Sequence, residues 1–152
     1  MNVRTATATD REAILALVPR VSAASTPAHR SADETRAADL RAVGETLAAE
    51  SPDAAVLVAE DDTGLAGFVH LQTAIDYYSN RPIGHVADLA VAPAAEGKGI
   101  ARALMAAAED WARARGYAWI DLNVGPGNER ARTLYERLGY AVEWTRYVKR
   151  LD

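Results

Sequence analysis

Apolar and polar positions along this chain fall into blocks whose period changes several times. Residues 2–6 read as a short first strand. Thr9-Asp10-Arg11-Glu12 has the form of a capping box, in which Thr9 and Glu12 satisfy each other's orphan amides. The helix it opens carries Ile14, Leu15, Leu17, Val18 and Val21 on an apolar face, and Pro19 bends or ends it early. Residues 22–32 are small and polar, with Pro27 among them, and read as a loop between helices. A second box, Ser31-Ala32-Asp33-Glu34, starts a helix through Leu40, Val43 and Leu47 to about Glu50.

The pattern then turns to strands. Residues 54–60 and 65–72 form a predicted hairpin around Asp61-Asp62-Thr63-Gly64. A longer loop over 74–84 holds Tyr77, Tyr78 and Pro82, and 85–91 is the next strand. Ile100, Leu104, Ala107, Ala108 and Trp111 share one face of a helix that closes at Gly116. A strand over 117–124, a short helix over 128–138 and a last strand or pair of strands over 140–150 complete the chain. The order predicts an α/β fold: a mixed sheet with helices on both faces and ligands near the strand ends around the β-α-β crossover. Neither an internal repeat nor a linker divides the sequence, so residues 1–152 read as one domain.

Composition narrows the function. A 152-residue domain buries roughly 70% of the surface of its unfolded chain and needs no disulfide or metal staple. The absence of cysteine removes disulfides, thiolate zinc sites and cysteine nucleophiles together, and His29, His70 and His85 are too widely spaced for a metal-ligand pattern, so no metal is expected. His29 and His70 read as polar or packing residues. A net charge of −4 argues against a partner such as duplex nucleic acid. Without a basic-then-apolar leader, or any run approaching 18 apolar residues, the expectation is a cytoplasmic protein with no membrane partner.

The most telling segment is HVADLAVAPAAEGKGIARAL, from His85 to Leu104. An apolar strand, a proline-marked turn and two glycines before a helical run aim free N–H groups and a helix dipole at one spot, a site for phosphate. A nucleoside-triphosphate loop needs G-x-x-x-x-G-K-[ST], which Gly97-Lys98-Gly99-Ile100 does not supply. A dinucleotide fingerprint ends in a glycine where this chain has Arg102, and belongs at the first strand–helix turn.

A third pattern matches. Val91-x-Pro93 followed by Gly97-Lys98-Gly99-Ile100-Ala101-x-x-Leu104 resembles the acyl-CoA motif of the GNAT superfamily of N-acetyltransferases. Gly99 and Ala101 agree with that motif, whereas Glu96 stands where the family carries a glutamine or arginine. Downstream, Leu122-x-Val124-x-x-x-Asn128-x-x-Ala131-x-x-Leu134-Tyr135-x-x-x-Gly139-Tyr140 is similar to the family's fifth-strand and fourth-helix pattern. The resemblance spans residues 54–147 by motif and the whole chain by order of elements. It implies a mixed, mostly antiparallel twisted sheet of six to seven strands.

It also implies acetyl-CoA as acyl donor and a primary amine as acceptor, attacking the thioester directly through a tetrahedral intermediate. Backbone around Leu89, Ala90 and Val91 would pair with the pantetheine arm and supply an oxyanion donor. The loop Glu96, Gly97, Lys98, Gly99, Ile100, Ala101 and Arg102 would hold the diphosphate, the glycines letting amides close around it. Lys98 and Arg102 add positive charge there, or serve only as solvated surface. Asn128, Ala131 and Tyr135 complete the expected cofactor contacts, with Asn128 reading equally as an N-cap.

Tyr135 is the expected general acid for the departing thiolate, since a tyrosine of pKa ~10 is protonated at neutral pH. For the base, relatives use a glutamate where this chain has Asn123, or an acid on the fourth strand; Asp88 and His85 are the candidates here. Asn123, Tyr77 and Tyr78 are the expected acceptor-side residues. The acceptor itself, a small-molecule amine or a peptide or protein amine, is left open. Two alternatives also stand: a catalytically silent CoA-binding regulator, and a homodimer joined through the last strand with Trp144 and Tyr147.

Overall fold

The computed structural model describes residues 1–24 and 26–152. Its elements run β1 (Asn2–Thr5), α1 (Arg11–Leu17), α2 (Pro19–Ala24), α3 (Ala32–Ala48), β2 (Ala54–Asp61), β3 (Gly64–Ile75), β4 (Pro82–Val91), α4 (Ile100–Ala114), β5 (Ile120–Leu122) and α5 (Glu129–Arg137). The sheet order follows the chain, β1-β2-β3-β4-β5, antiparallel throughout except where β5 returns parallel to β4. The helical crossover through α4 is what permits that parallel pair.

Helices cover both faces, and each face has its own core. On one side Ile14, Val18 and Val43 close over Val56, Val58, Phe68 and Ala90. On the other, Ile100, Leu104, Met105, Ala108, Trp111 and Ala112 of α4 close over Ala59, Val69, Leu71 and Val86. The apolar stripes of α1, α3 and α4 therefore do what their spacing predicts. Gly67 sets how closely α4 sits: a Cβ there would lie 2.7 Å from the Ala90 carbonyl oxygen and 3.2 Å from both Ile100 and Leu104. Gly67→Ala is expected to destabilise the fold by about 1–3 kcal/mol, the usual scale of overpacking, seen as a lower urea midpoint at unchanged slope.

Several expectations are corrected. The first capping interaction lies two residues earlier than read, where the Thr7 amide donates to Asp10 Oδ2 at 2.7 Å; Asp10 in turn accepts from Arg4 at 2.7 Å, which fixes it there. Pro19 takes the first position of α2, where its missing N–H costs nothing. Of the loop expected over 22–32, residues 22–24 belong to α2 and position 25 lies outside the described residues. Alanines favour helix, and the Ser22 hydroxyl ties this turn to Asp39 of α3 at 2.7 Å. Of the second capping box only the N-cap half forms, Ser31 Oγ accepting from the Glu34 amide at 3.0 Å, while the Glu34 carboxylate accepts from Arg30 at 3.0 Å.

The six to seven expected strands are five among the described residues. The strand expected over 117–124 is confined to Ile120–Leu122, because only these residues find partners on β4. Residues 140–150 form no strand. Alternation alone does not make one without a neighbour to pair with, and Val142, Trp144, Tyr147 and Val148 stay exposed, Trp144 stacking on Tyr78 at 6.1 Å.

One irregularity in the sheet matters for function. Regular pairing from Ile75–Pro82 would set His70 against Ala87, but the register slips and His70 faces Asp88 while Leu71 faces Val86. Ala87 is the extra residue of a β-bulge. Below it Val86 points into the α4-side core; above it Ala90 points into the α1/α3-side core. The bulge thus turns Asp88 away from α4 and toward α3.

Candidate active site

The segment after β4 forms the predicted cradle. Gly97 and Gly99 adopt φ of +74° and +81°, which only glycine takes without strain, and the space a Cβ would fill at either one is open. Gly99 is the N-cap of α4 and no side chain caps that helix. The first-turn amides of Ile100, Ala101 and Arg102 therefore have no intrahelical acceptor. Backbone donors, a helix dipole and empty space beside two glycines suit a diphosphate. Lys98 lies 3.9 Å from Asp61, and Arg102 is exposed on the first turn.

Glu96, an anion beside an anion site, is accounted for by two arginines. Arg20 of α2 and Arg130 of α5 both bind its carboxylate, Arg130 at 2.8 Å, and Arg20 Nε also donates to the Val91 carbonyl at 2.9 Å. Arg130 and then Arg20 hold the Glu96 carboxyl below its ordinary range. The pairs neutralise Glu96 and tie α2, α5 and the end of β4 to the cradle. Arg130→Ala is expected to weaken CoA binding about fivefold, the upper end of what a solvent-facing charge contributes. Adding Glu96→Gln should restore it, as titration calorimetry would show; no restoration would make Arg130 a direct phosphate contact.

Beside the cradle the sheet opens. β4 and β5 pair only through Gly84–Ile120, His85–Asp121 and Val86–Leu122, after which β4 continues to Val91 paired with β3 alone. The bulge at Ala87 sits where they part. Leu89, Ala90 and Val91 therefore have no β5 neighbour, and Asn123 lies just past the last pair, exposed.

Asp88 stands on this stretch, which β3 pairs but β5 does not, and is 5% exposed. Its Oδ2 lies 2.8 Å from Nδ1 of His70, which is fully buried, and His70 Nε2 lies 2.8 Å from Thr46 Oγ1 on α3. Asp39 is a second carboxylate close by; burial raises its pKa, and the charge of Asp88 adds to that rise against the Ser22 hydrogen bond. His85, by contrast, lies in the paired part of β4, its Nδ1 2.7 Å from Asp121 of β5. The two candidate bases thus sit in different settings.

Tyr135 packs from α5 against the α4-side core that also takes Leu89 and Val91, its ring 5.9 Å from that of Tyr140. Burial raises its pKa, so the phenol holds its proton at neutral pH. Tyr135 and Asp88 accordingly belong to opposite faces of the sheet. Asn128 caps α5, Oδ1 accepting from the Ala131 amide at 3.2 Å. Tyr77 and Tyr78 are exposed in the turn before β4, about 30 Å of strand from Val91. They pack edge to face with each other at 5.3 Å and are not brought to Asp88. Asp76 shapes that turn by accepting from the Ser79 amide at 2.8 Å.

Sequence reasoning missed Arg20, Arg130, Thr46 and the partnership of His70. The arginines reach Glu96 from distant segments that no local motif joins, and the His70–Asp88 pair depends on the bulge.

No helix among the described residues is long and apolar enough to cross a membrane. The acetyltransferase (GNAT) family model matches residues 19–140. A mycothiol acetyltransferase of Renibacterium salmoninarum is 34% identical over 122 residues, which is 80% of this chain and 36% of that protein. The chain thus spans about a third of that relative's length. An uncharacterized N-acetyltransferase of Bacillus subtilis, YhfO, is 34% identical over 107 residues, 69% of this chain and 72% of that protein. The structure of a ribosomal-protein-alanine N-acetyltransferase from Brucella melitensis biovar Abortus 2308 superimposes with a TM-score of 0.72 at 26% identity, across 99% of this chain and 100% of that one.

Proposed function

This chain belongs to the GNAT family of acetyltransferases, and from that premise we propose that it transfers an acetyl group from acetyl-CoA to a primary amine. Residues 1–152 act in this reading as one catalytic domain. When bound, acetyl-CoA supplies an activated thioester. The chain's own residues do the rest.

The amides from Gly97 through Arg102 bind the diphosphate at the α4 N-terminus. The free edge of β4 over Leu89, Ala90 and Val91 receives the pantetheine arm, and one of its amides steadies the developing oxyanion. Asp88, on the α3 side, accepts the proton that the amine nitrogen loses as its bond to the acyl carbon forms. Tyr135, on the α4 side, gives a proton to the sulfur as the carbon–sulfur bond breaks. Acceptor and leaving group are thus served from opposite faces of one opening. His85 is set aside as base because it lies in the closed part of the strand pair, tied to Asp121.

The observation that carries this reading is the uncapped two-glycine cradle lying beside a strand pair that parts at a buried carboxylate. Titration calorimetry with CoA and acetyl-CoA tests the donor, and the absence of heat with both overturns it. Thiol release from acetyl-CoA then tests the reaction with glucosamine, kanamycin, spermidine and an alanine-initiated peptide. Small amines stand first because one relative is named for mycothiol, and the peptide follows because another is named for a protein alanine. Binding with no acceptor-dependent release would leave a silent CoA-binding protein.

A further inference from the structure

His70 is fully buried, yet it hydrogen-bonds two other side chains, Asp88 and Thr46. It lies directly across the β3–β4 ladder from Asp88, on the same face, with Nδ1 2.8 Å from Asp88 Oδ2 and Nε2 2.8 Å from Thr46 Oγ1. A fully buried polar ring paired across the sheet with Val56 costs free energy unless both nitrogens are satisfied. An ionised carboxylate at Nδ1 requires a proton on that nitrogen. The ring is therefore clamped at both ends, and it grips one oxygen of Asp88.

We propose that His70 is the positioning residue for the proton-accepting carboxylate: Nδ1–H holds Asp88 Oδ2, Thr46 anchors the far side of the ring, and Oδ1 is left aimed at the opening between β4 and β5 to take the amine's proton. The inference rests on the acetyl-transfer reading with Asp88 as base. It goes beyond that reading by assigning a second residue to the proton-accepting unit, delivered there by the bulge at Ala87. Asp39 of α3 carries a charge close to the pair, and its carboxylate accepts from Ser22 of α2.

Two substitutions separate the role from bulk. Asparagine places its amide nitrogen near the position of Nδ1, whereas the amide of glutamine reaches toward Thr46 and leaves Asp88 unheld. With acetyl-CoA and whichever of the four amines turns over fastest, His70→Gln is expected to lower kcat about 10²-fold at unchanged KM for acetyl-CoA. His70→Asn should recover most of that loss. In the double variant with Asp88→Asn, His70→Gln should cause no further loss, because its effect passes through Asp88. Independently of turnover, long-range proton–nitrogen NMR of the unaltered chain should show His70 Nδ1 protonated at neutral pH.

A bare Nδ1 overturns the inference, as does a His70→Gln loss that adds in full to that of Asp88→Asn, while leaving acetyl transfer itself intact. Turnover of none of the amines instead removes the acetyl-transfer reading, and the inference with it.

Discussion

Replacing Tyr135 with phenylalanine is expected to slow turnover by roughly 10²–10⁴-fold, the usual contribution of a positioned proton donor. The loss should fall on kcat, with CoA affinity measured by calorimetry unchanged, since the phenyl ring keeps the packing against Tyr140 and the α4-side core. The pH profile gives a second reading. Burial raises the Tyr135 pKa, and a general acid must be protonated to act. Activity should therefore persist into more alkaline solution than an ordinary tyrosine of pKa ~10 would allow, and that alkaline limb should vanish from the phenylalanine variant. An unchanged rate in purified Tyr135→Phe removes the assignment.

Asp88→Asn should be as damaging, roughly 10²–10⁴-fold in kcat/KM, from the other face of the sheet. The amide is nearly isosteric with the carboxylate, so the core should survive; what disappears is the capacity to take a proton. His85→Gln is the natural comparison. Its partner Asp121 is exposed at the sheet edge and His85 is part-buried in the closed part of the strand pair, so that variant should stay within a few-fold of the unaltered rate. A reversal of the two results would move the base to His85. Amines differing in pKa sharpen the test, because an acceptor already neutral at the assay pH should lose less with Asp88→Asn than one that arrives protonated.

What the sequence disclosed about this molecule follows the range of the forces involved. The cradle was legible because a bend with two left-handed residues before an uncapped helix is written in adjacent positions: Gly97, Gly99 and the apolar run from Ile100. The stripes of α1, α3 and α4 were legible for the same reason. Glu96 was visible as a departure from the family's pattern, but its meaning was not, because Arg20 and Arg130 come to it from 76 and 34 residues away. His70 looked like a packing histidine, and by burial it is one. Only the slipped register brings it opposite a carboxylate. The last strand was over-read: residues 140–150 alternate well, yet alternation reports a half-buried ribbon only where an edge receives it, and here Trp144 lies against Tyr78 instead.

The extra residue at Ala87 also governs how this strand tolerates editing. Losing Ala87 itself would restore even alternation with the carboxylate still facing α3, whereas losing Leu89 or Ala90 would swing it to the side occupied by α4 and leave both hydrophobic layers nearly filled. Such a protein would remain folded and fall silent. Past the bulge, removing or adding two residues would keep the phase, so length variation beyond Asp88 is counted in pairs.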